Sequence, residues 1–340
     1  MKKELANLDG LRTFAVCSVL LSHWITMISS IRTGENVVES FGYWGVMAFF
    51  VHTSLVLMLS LEQMYRRDPH LLATRFYIRR AFRLYPLALL CVATTLFLHI
   101  PHSPNINTSY TPFSAKTILA NALLMQNLTE GGSVSGPLWS LPFEVDMYLM
   151  LPVLFMLASR PQGWKTILIA FSLFSGIGIC VQVMTGHANL LAYIPCFLSG
   201  VLAYALRHKI RPRAPAWAWP IFVCAWFFVC WRLDHGLRME QRFALQWMMC
   251  LILGLTISFF QDSINNSWNS FTAAVAMYSY GIYLSHVPTL WLVVRILGVT
   301  DPLKMTPLWL ILTAAVSALA YHVLEAPMIG VGRRLTDGKA

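Results

Sequence analysis

The sequence predicts an all-α, polytopic integral membrane protein of about ten transmembrane helices, with both termini in the cytoplasm. Of the 340 residues, 57% are hydrophobic and only 12% are charged, and several apolar runs approach or exceed the length that crosses a bilayer. The basic residues behind the net charge of +10 cluster in short loops between these runs. That distribution is typical of cytoplasmic membrane loops and argues against nucleic-acid binding.

The first apolar stretch, Leu11–Ile31, carries Arg12 at its beginning and His23 deep inside. In a helix, steps of about 100° bring these two side chains onto one face, about 16 Å apart along the axis. Ionisable groups are costly against lipid, so this face is predicted to line an internal site. A polar segment precedes the stretch and no small-residue cleavage site follows it. The helix is therefore predicted to be retained, not removed as a signal peptide.

The densest basic loop, from Arg66 to Arg83, fixes the predicted orientation because such loops stay in the cytoplasm. The helix after it, Leu84–Ile100, then leads outward into a nearly uncharged loop rich in Pro, Ser, Thr and Asn. Thr117–Asn127 is apolar, but as a helix it would measure only about 16 Å against a hydrocarbon core of about 30 Å. We predict a periplasmic loop and a re-entrant segment at about residues 101–137, within a single membrane domain over residues 1–340.

Counting that segment as non-spanning leaves the later basic loops in the cytoplasm. The predicted spans are Leu11–Ile31, Gly42–Glu62, Leu84–Ile100, Leu138–Ala158, Lys165–Met184, Leu190–Leu206, Ala216–Trp231, Phe243–Phe260, Phe271–Leu297 and Pro307–Leu324.

The seven cysteines lie in apolar runs without metal-ligand spacing, so they are interpreted as small buried hydrophobic residues and no metal site is predicted.

Ionisable residues of different predicted helices fall at one depth. Axial distances of about 1.5 Å per residue place His23, Glu144 and His286 about 20–22 Å from the inner surface, with His52 slightly lower. A shared depth is expected of a common internal site, because each group must avoid lipid. A structural polar cluster that holds the helices together would give the same pattern.

Six motifs occur in an order that resembles a known family. They are Leu8-Asp9-Gly10-Leu11-Arg12 with His23, Gly45-Val46-x-x-Phe49-Phe50-Val51, Phe76-Tyr77-x-Arg79-Arg80-x-x-Arg83-x-x-Pro86, Trp139-Ser140-Leu141-x-x-Glu144, Ser279-Tyr280-Gly281-Ile282-Tyr283-Leu284-x-His286, and Glu325-x-Pro327. Together they resemble the acyltransferase-3 family of membrane O-acyltransferases, the type that acetylates O-antigen and exopolysaccharide. The chain departs from the family after Val51, where His52-Thr53-Ser54-Leu55 replaces the usual Leu-Ser-Gly-Phe. It ends soon after the last predicted helix, which indicates the stand-alone form without a fused hydrolase-like domain.

The resemblance implies a multi-pass enzyme of the bacterial cytoplasmic (inner) membrane. It would transfer an acyl group, in the first instance acetyl, from cytoplasmic acyl-CoA to a hydroxyl of a carbohydrate acceptor such as O-antigen, exopolysaccharide, a lipid-linked glycan or a glycosylated small molecule. Acyl-CoA is then a co-substrate, and no separate cofactor or metal is implied. The alternatives are a transporter or flippase without transferase chemistry, since intramembrane charges also mark substrate pathways, and a sensor or scaffold. A transporter would favour inverted repeats, and none is seen in the sequence.

Acyl transfer to an alcohol needs a general base near the hydroxyl and donors for the developing oxyanion. His23 is the predicted base, with a helix-packing histidine as the alternative. Arg12 and Glu144 complete the predicted catalytic group; Glu144 either orients His23 or supports packing. Residues predicted to line the site, with structural roles as the alternative, are His52, Trp139, Ser140, Tyr283 and His286.

Arginines recur every four residues in the basic segment after the second predicted helix. Arg75, Arg79 and Arg83 form one row on a helical face, and Arg80 lies next to it. Guanidinium groups suit the phosphates of CoA because they donate two parallel hydrogen bonds. The alternative is a positive anchor that binds anionic lipid.

Overall fold

The computed structural model describes residues 6–34, 40–103, 107–129, 131–185, 190–263 and 265–337. These residues are almost entirely helical, which confirms the predicted all-α class. The α-helices are α1 (Ala6–Thr33), α2 (Phe41–Arg67), α3 (Leu72–Phe97), α4 (Ala115–Ala122), α5 (Leu141–Ala158), α6 (Gly163–Thr185), α7 (Leu190–Leu206), α8 (Ala218–Asp234), α9 (Met239–Ile257), α10 (Asn266–Trp291), α11 (Pro302–Ala320) and α12 (Ala326–Asp337). A 3₁₀ turn, Gly136–Ser140, precedes α5, and π-turns follow α10 (Leu292–Ile296) and α11 (Tyr321–Glu325).

Six helical segments among the described residues are long and apolar enough to cross a membrane. They are Ala6–Thr33, Phe41–Arg67, Leu72–Phe97, Gly136–Ala158, Gly163–Met184 and Pro302–Asp337. Helix α7 is also apolar but has only 17 residues. The polytopic helical bundle is therefore confirmed, while the count of ten spans and the side on which the termini lie stay predictions.

The segment predicted to be re-entrant forms α4, which is shorter than expected. Ser114 caps it by accepting a hydrogen bond from the Thr117 backbone N–H, and the helix ends at Ala122. Leu124 then adopts a left-handed conformation with φ of 55°, which is incompatible with continuing the helix. Its eight residues span about 12 Å. Residues 104–106 of the preceding predicted loop lie outside the described residues.

The chain divides into two compact units. The first contains the described parts of Met1–Cys17, together with Tyr43–Ala73 and Asp146–Ala276. The second contains the described parts of Ser18–Gly42, Thr74–Val145 and Met277–Ala340.

The first unit is built around α7, whose side chains from Ala192 to Tyr204 are all buried. A glycine allows α2 to come close, because a Cβ at Gly200 would overlap the Val51 carbonyl and the Ser54 hydroxyl. Gly254 allows α9 to come equally close to α7, since a Cβ at Gly254 would lie 2.6 Å from the Ser199 carbonyl oxygen. Ser54, which stands where the family usually has glycine, is fully buried and fits because the residue it faces is Gly200.

In the second unit α10 and α11 pack closely through small and hydroxylated residues, the usual means of holding helices together in a membrane. A Cβ at Gly281 would lie 3.2 Å from the Ser317 backbone. The Ser285 and Ser317 hydroxyls are 3.1 Å apart, and those of Thr289 and Thr313 are 2.7 Å apart. This contact fixes the face of α10 that carries His286.

Candidate active site

Helix α1 is unbroken over its 28 residues, so Arg12 and His23 lie on one helix as predicted. Within the second unit, a row of buried hydroxyl residues at four-residue spacing, Ser18, Ser22, Thr26 and Ser30, runs along α1. The Ser18 hydroxyl donates to the Phe41 carbonyl, and a Cβ at Gly42 would lie 2.9 Å from the Ser22 hydroxyl oxygen. These contacts set the rotation of α1 and hence the direction in which His23 projects.

His23 packs against His286 of α10. Their ring centroids are 4.9 Å apart and the ring planes are tilted by 37°. His286 has no exposed surface, and its backbone carbonyl accepts hydrogen bonds from Trp309 Nε1 at 2.9 Å and Thr289 Oγ1 at 3.1 Å. The shared depth inferred from the sequence thus corresponds to a contact between the two imidazoles.

An apolar cluster borders the histidine pair one helical turn further along both helices. Met27 and Leu290, four residues after His23 and His286, belong to it together with Val293, Val294, Met305 and Trp309. Trp24 packs against this cluster and donates from Nε1 to the Thr306 hydroxyl at 2.8 Å. A buried apolar lining of this kind disfavours water on this side of the pair.

Tyr283 adds a hydroxyl group to the same region. Its ring centroid is 6.0 Å from that of His286, and its hydroxyl is hydrogen-bonded to the Ser140 hydroxyl at 2.9 Å. Glu144, one turn after Ser140, interacts electrostatically with Tyr283. Trp139 lies beside Ser140 and packs against Phe143, with ring centroids 6.3 Å apart. The structure therefore brings His23, His286, Tyr283, Ser140 and Glu144 into one neighbourhood.

His102 is a neighbour that the sequence reasoning missed. It interacts electrostatically with His23, and its Nδ1 lies 2.9 Å from the Ser133 carbonyl oxygen. Its own carbonyl accepts from the Gly136 N–H at 3.1 Å, which ties it to the turn that carries Ser140. No pattern in the sequence marks this histidine, because the loop between Ile100 and Ala115 has no periodicity.

Two of the predicted site residues, Arg12 and His52, belong to the first unit. They interact electrostatically with one another, and Arg12 also interacts with Asp9. His52 is only 4% exposed. The predicted catalytic role of Arg12 stays a prediction.

The arginine row on α3 contacts the carboxy-terminal part of the second unit. Arg75 Nε donates to the Thr336 carbonyl at 3.0 Å, and Arg79 Nε donates to the Thr336 hydroxyl at 2.9 Å. Arg79 also pairs with Asp337 at 2.6 Å. Arg75 and Arg79, one turn apart on α3, thus contact the same residue, Thr336, and Arg80 is the next residue after Arg79 on this helix.

The third member of the row, Arg83, forms an ion pair with Glu325 at 3.0 Å. The Glu325 side chain is fully buried, and that of Arg83 is 26% exposed. Glu325 belongs to the sequence motif Glu325-x-Pro327, for which no role was predicted. The signal in the sequence that could have indicated a buried, paired carboxylate was a glutamate two residues before a proline, near the end of an apolar run.

None of the described residues forms a group of three or more metal-ligating side chains. The second unit brings together two imidazoles in contact, a tyrosine hydroxyl hydrogen-bonded to a serine, and a nearby carboxylate. Such a set in a membrane-embedded helical bundle suits acid–base chemistry on a polar substrate. The fold and the site together define a multi-pass membrane protein with a candidate acid–base centre.

Residues 5–323 match the family model described as an acyltransferase domain, and the chain therefore belongs to the acyltransferase-3 family. It is 29% identical over 199 residues to the O-acetyltransferase OatA of Staphylococcus aureus (strain NCTC 8325 / PS 47), a match covering 54% of this chain and 31% of that protein. It is 24% identical over 359 aligned positions to the peptidoglycan O-acetyltransferase OatA of Listeria monocytogenes serovar 1/2a (strain ATCC BAA-679 / EGD-e), covering 96% of this chain and 56% of that protein. The chain thus spans between 31% and 56% of the length of these relatives. No solved structure gives a significant match.

Proposed function

We propose that the protein is an O-acyltransferase of the bacterial cytoplasmic membrane that moves an acetyl group from acetyl-CoA to a hydroxyl of a polysaccharide. The family match over residues 5–323 carries this proposal, because it includes the whole His23–His286 neighbourhood. The relatives are named as O-acetyltransferases, and one is named for peptidoglycan. These names support acetyl as the transferred group and a cell-wall polysaccharide as the acceptor class.

In the proposed reaction His23 acts as the general base. The acceptor oxygen attacks the thioester carbonyl carbon while His23 takes the hydroxyl proton. A C–O ester bond forms, the C–S bond breaks, and the CoA sulfur leaves as a thiolate that His23 reprotonates. A positioned base of this kind contributes roughly 10²–10⁴ in rate. The apolar cluster around Met27 and Trp309 supports this role, because it keeps water away from one side of the base.

The developing oxyanion needs hydrogen-bond donors held in place. We assign this part to the Tyr283 hydroxyl, which the Ser140 hydroxyl holds at 2.9 Å. The electrostatic interaction of Glu144 with Tyr283 supports a role for Glu144 through the tyrosine. Orientation of His23 by Glu144 was the sequence-based alternative.

We assign the acyl-CoA phosphates to the arginines of α3, which are the row of Arg75, Arg79 and Arg83 and the adjacent Arg80. Arg83 is held by the buried carboxylate of Glu325, so phosphate binding falls mainly to Arg75, Arg79 and Arg80. Asp337 and Thr336 already contact Arg79, and a phosphate would share or replace these partly exposed contacts. Planar guanidinium groups are well suited to this because they bind phosphate oxygens in pairs.

Purified full-length protein in lipid vesicles, supplied with radiolabelled acetyl-CoA and peptidoglycan fragments, tests the proposal. The wild-type protein should form labelled ester, and His23→Ala should lose at least about a hundredfold in turnover, the lower end of a base contribution. His70→Ala is the matched control, because His70 is an exposed histidine of the α2–α3 loop. Near-normal turnover in a folded His23→Ala protein would exclude His23 as the base. Movement of label across the membrane without ester formation would favour a transporter.

A further inference from the structure

His286 is a fully buried imidazole with only one of its two ring nitrogens satisfied. Nδ1 lies 3.2 Å from the carbonyl oxygen of Ile282, one turn earlier on α10. Nε2 has no hydrogen-bond partner among the described residues. Buried polar atoms nearly always have a hydrogen-bond partner in folded proteins, so a buried nitrogen without one needs an explanation.

The Ile282 contact decides which nitrogen of neutral His286 carries the proton. A backbone carbonyl can only accept a hydrogen bond, so Nδ1 must be the donor. The remaining nitrogen, Nε2, then holds a lone pair and can only accept. A backbone carbonyl is a common means of fixing a histidine tautomer in this way.

His23 is the imidazole in ring contact with this acceptor, at a centroid distance of 4.9 Å. A general base on a histidine needs one ring nitrogen with a lone pair, and its other ring N–H is usually held by a third group that orients the ring. The structure has no hydrogen bond between the two rings. Catalytic hydrogen bonds are often long without substrate and tighten when it binds.

We infer that His286 is the positioning residue for His23, accepting a hydrogen bond at Nε2 from the ring N–H of His23. This fixes the His23 tautomer so that its other nitrogen presents a lone pair to the acceptor hydroxyl. The inference rests on the proposed function, in which His23 is the base. It gives the orienting role to a second histidine, whereas the sequence had left Glu144 open between orienting His23 and supporting packing.

Two substitutions separate the two nitrogens of His286. In His286→Asn the side-chain amide nitrogen takes the place of Nδ1 and can still donate to Ile282, but nothing occupies the Nε2 position. In His286→Gln the longer side chain places an amide oxygen near the Nε2 position and restores an acceptor there. The two variants remove similar ring area, so a role in packing alone would affect them alike.

Steady-state kinetics with acetyl-CoA and peptidoglycan fragments form the first test. His286→Asn should lower kcat by about tenfold to hundredfold, a part of what a general base contributes, with the KM of both substrates unchanged because His286 touches neither. His286→Gln should recover most of the loss. Equal losses in both variants, or a changed KM with an unchanged kcat, would overturn the inference.

A second readout does not need turnover. Nitrogen-15 NMR of histidine-labelled protein, with signals assigned through His23→Ala and His286→Asn, reports which ring nitrogen of His23 is protonated. One tautomer is expected in the wild-type protein and in His286→Gln, and a mixture in His286→Asn. An unchanged His23 tautomer in His286→Asn would reject the positioning role whether or not the protein proves to be a transferase, whereas a wild-type protein that forms no ester would count against the proposed function alone.

Discussion

The Arg83 guanidinium and the Glu325 carboxylate form an ion pair at 3.0 Å in which the glutamate side chain has no exposed surface. This contact joins α3 to the π-turn between α11 and α12. Removing one partner of a buried pair leaves an uncompensated charge, whereas replacing both by apolar side chains of similar size is often tolerated. Substitutions in this pair can therefore distinguish a structural role of Arg83 from a role in binding the acyl-CoA donor.

Replacing Arg83 alone by Met should destabilise the folded protein by about 3–5 kcal/mol, the usual cost of removing one member of a buried ion pair, because the buried Glu325 carboxylate would lose the Arg83 guanidinium. The double variant Arg83→Met with Glu325→Met should recover most of that loss. Thermal unfolding of the detergent-solubilised proteins measures both effects. If the double variant also recovers the wild-type KM for acetyl-CoA, Arg83 is structural. If the KM for acetyl-CoA stays raised in a stable double variant, Arg83 takes part in binding the donor.

The contact between Arg79 and Asp337 leads to two opposite expectations for donor binding. Arg79→Gln should raise the KM for acetyl-CoA by about tenfold to hundredfold with little change in kcat, since a charge-assisted hydrogen bond contributes about 1.5–3 kcal/mol. Asp337→Asn should lower that KM, because it removes the anion that competes for Arg79. Arg67→Gln, at the exposed end of α2, is the control. A row that only anchors lipid would leave all three KM values alike and change protein abundance instead.

Two glycines within the first unit should respond oppositely to alanine. At Gly200 the added Cβ would overlap the Val51 carbonyl and the Ser54 hydroxyl, so Gly200→Ala should destabilise by about 1–3 kcal/mol, as overpacking does. At Gly176 of α6, no atom of the described residues outside the local helix backbone lies within 4 Å of the added Cβ. Gly176→Ala should be neutral or stabilise by up to about 1 kcal/mol, because alanine favours a helix. Unfolding midpoints that shift in the same direction would contradict the close α2–α7 contact.

The predicted orientation can be checked with cysteines at two exposed positions, Ser109 and Lys209. In a background without the seven native cysteines, an impermeant thiol reagent applied to intact cells should label Ser109→Cys and spare Lys209→Cys. The physical reason is that basic loops such as the one after α7 stay in the cytoplasm. Disrupted cells, in which both positions should react, provide the control for accessibility. The reverse labelling pattern would overturn the orientation.

Hydropathy predicted the helices well because each apolar run carries its own signal. Helix α7 occupies Leu190–Leu206 as expected, whereas α4 ends earlier than the apolar run because Leu124 turns the backbone. Composition cannot reveal such a turn, since it depends on local backbone conformation. The departure at Ser54 was visible in the sequence, but the residue that accommodates it, Gly200, was not.

The positions of the polar residues along their helices could be read from the sequence, whereas their pairings could not, and their catalytic roles stay predictions. Depth along separate helices suggested that His23 and His286 belong together, and the structure has them in ring contact. The sequence did not show that Glu144 interacts with Tyr283, nor that Glu325 pairs with Arg83. These partners lie far apart in the chain, and helix rotation decides which side chains meet.

The apolar cluster of Met27, Leu290 and Trp309 beside the histidine pair bears on how tightly donor consumption is coupled to product formation. A thioester held near a base is open to attack by water as well as by a sugar hydroxyl. Apolar side chains beside the base disfavour the attack by water. Under the proposed function, hydrolysis of acetyl-CoA in the absence of an acceptor should therefore be slow. A polar residue in place of Met27 should increase that hydrolysis.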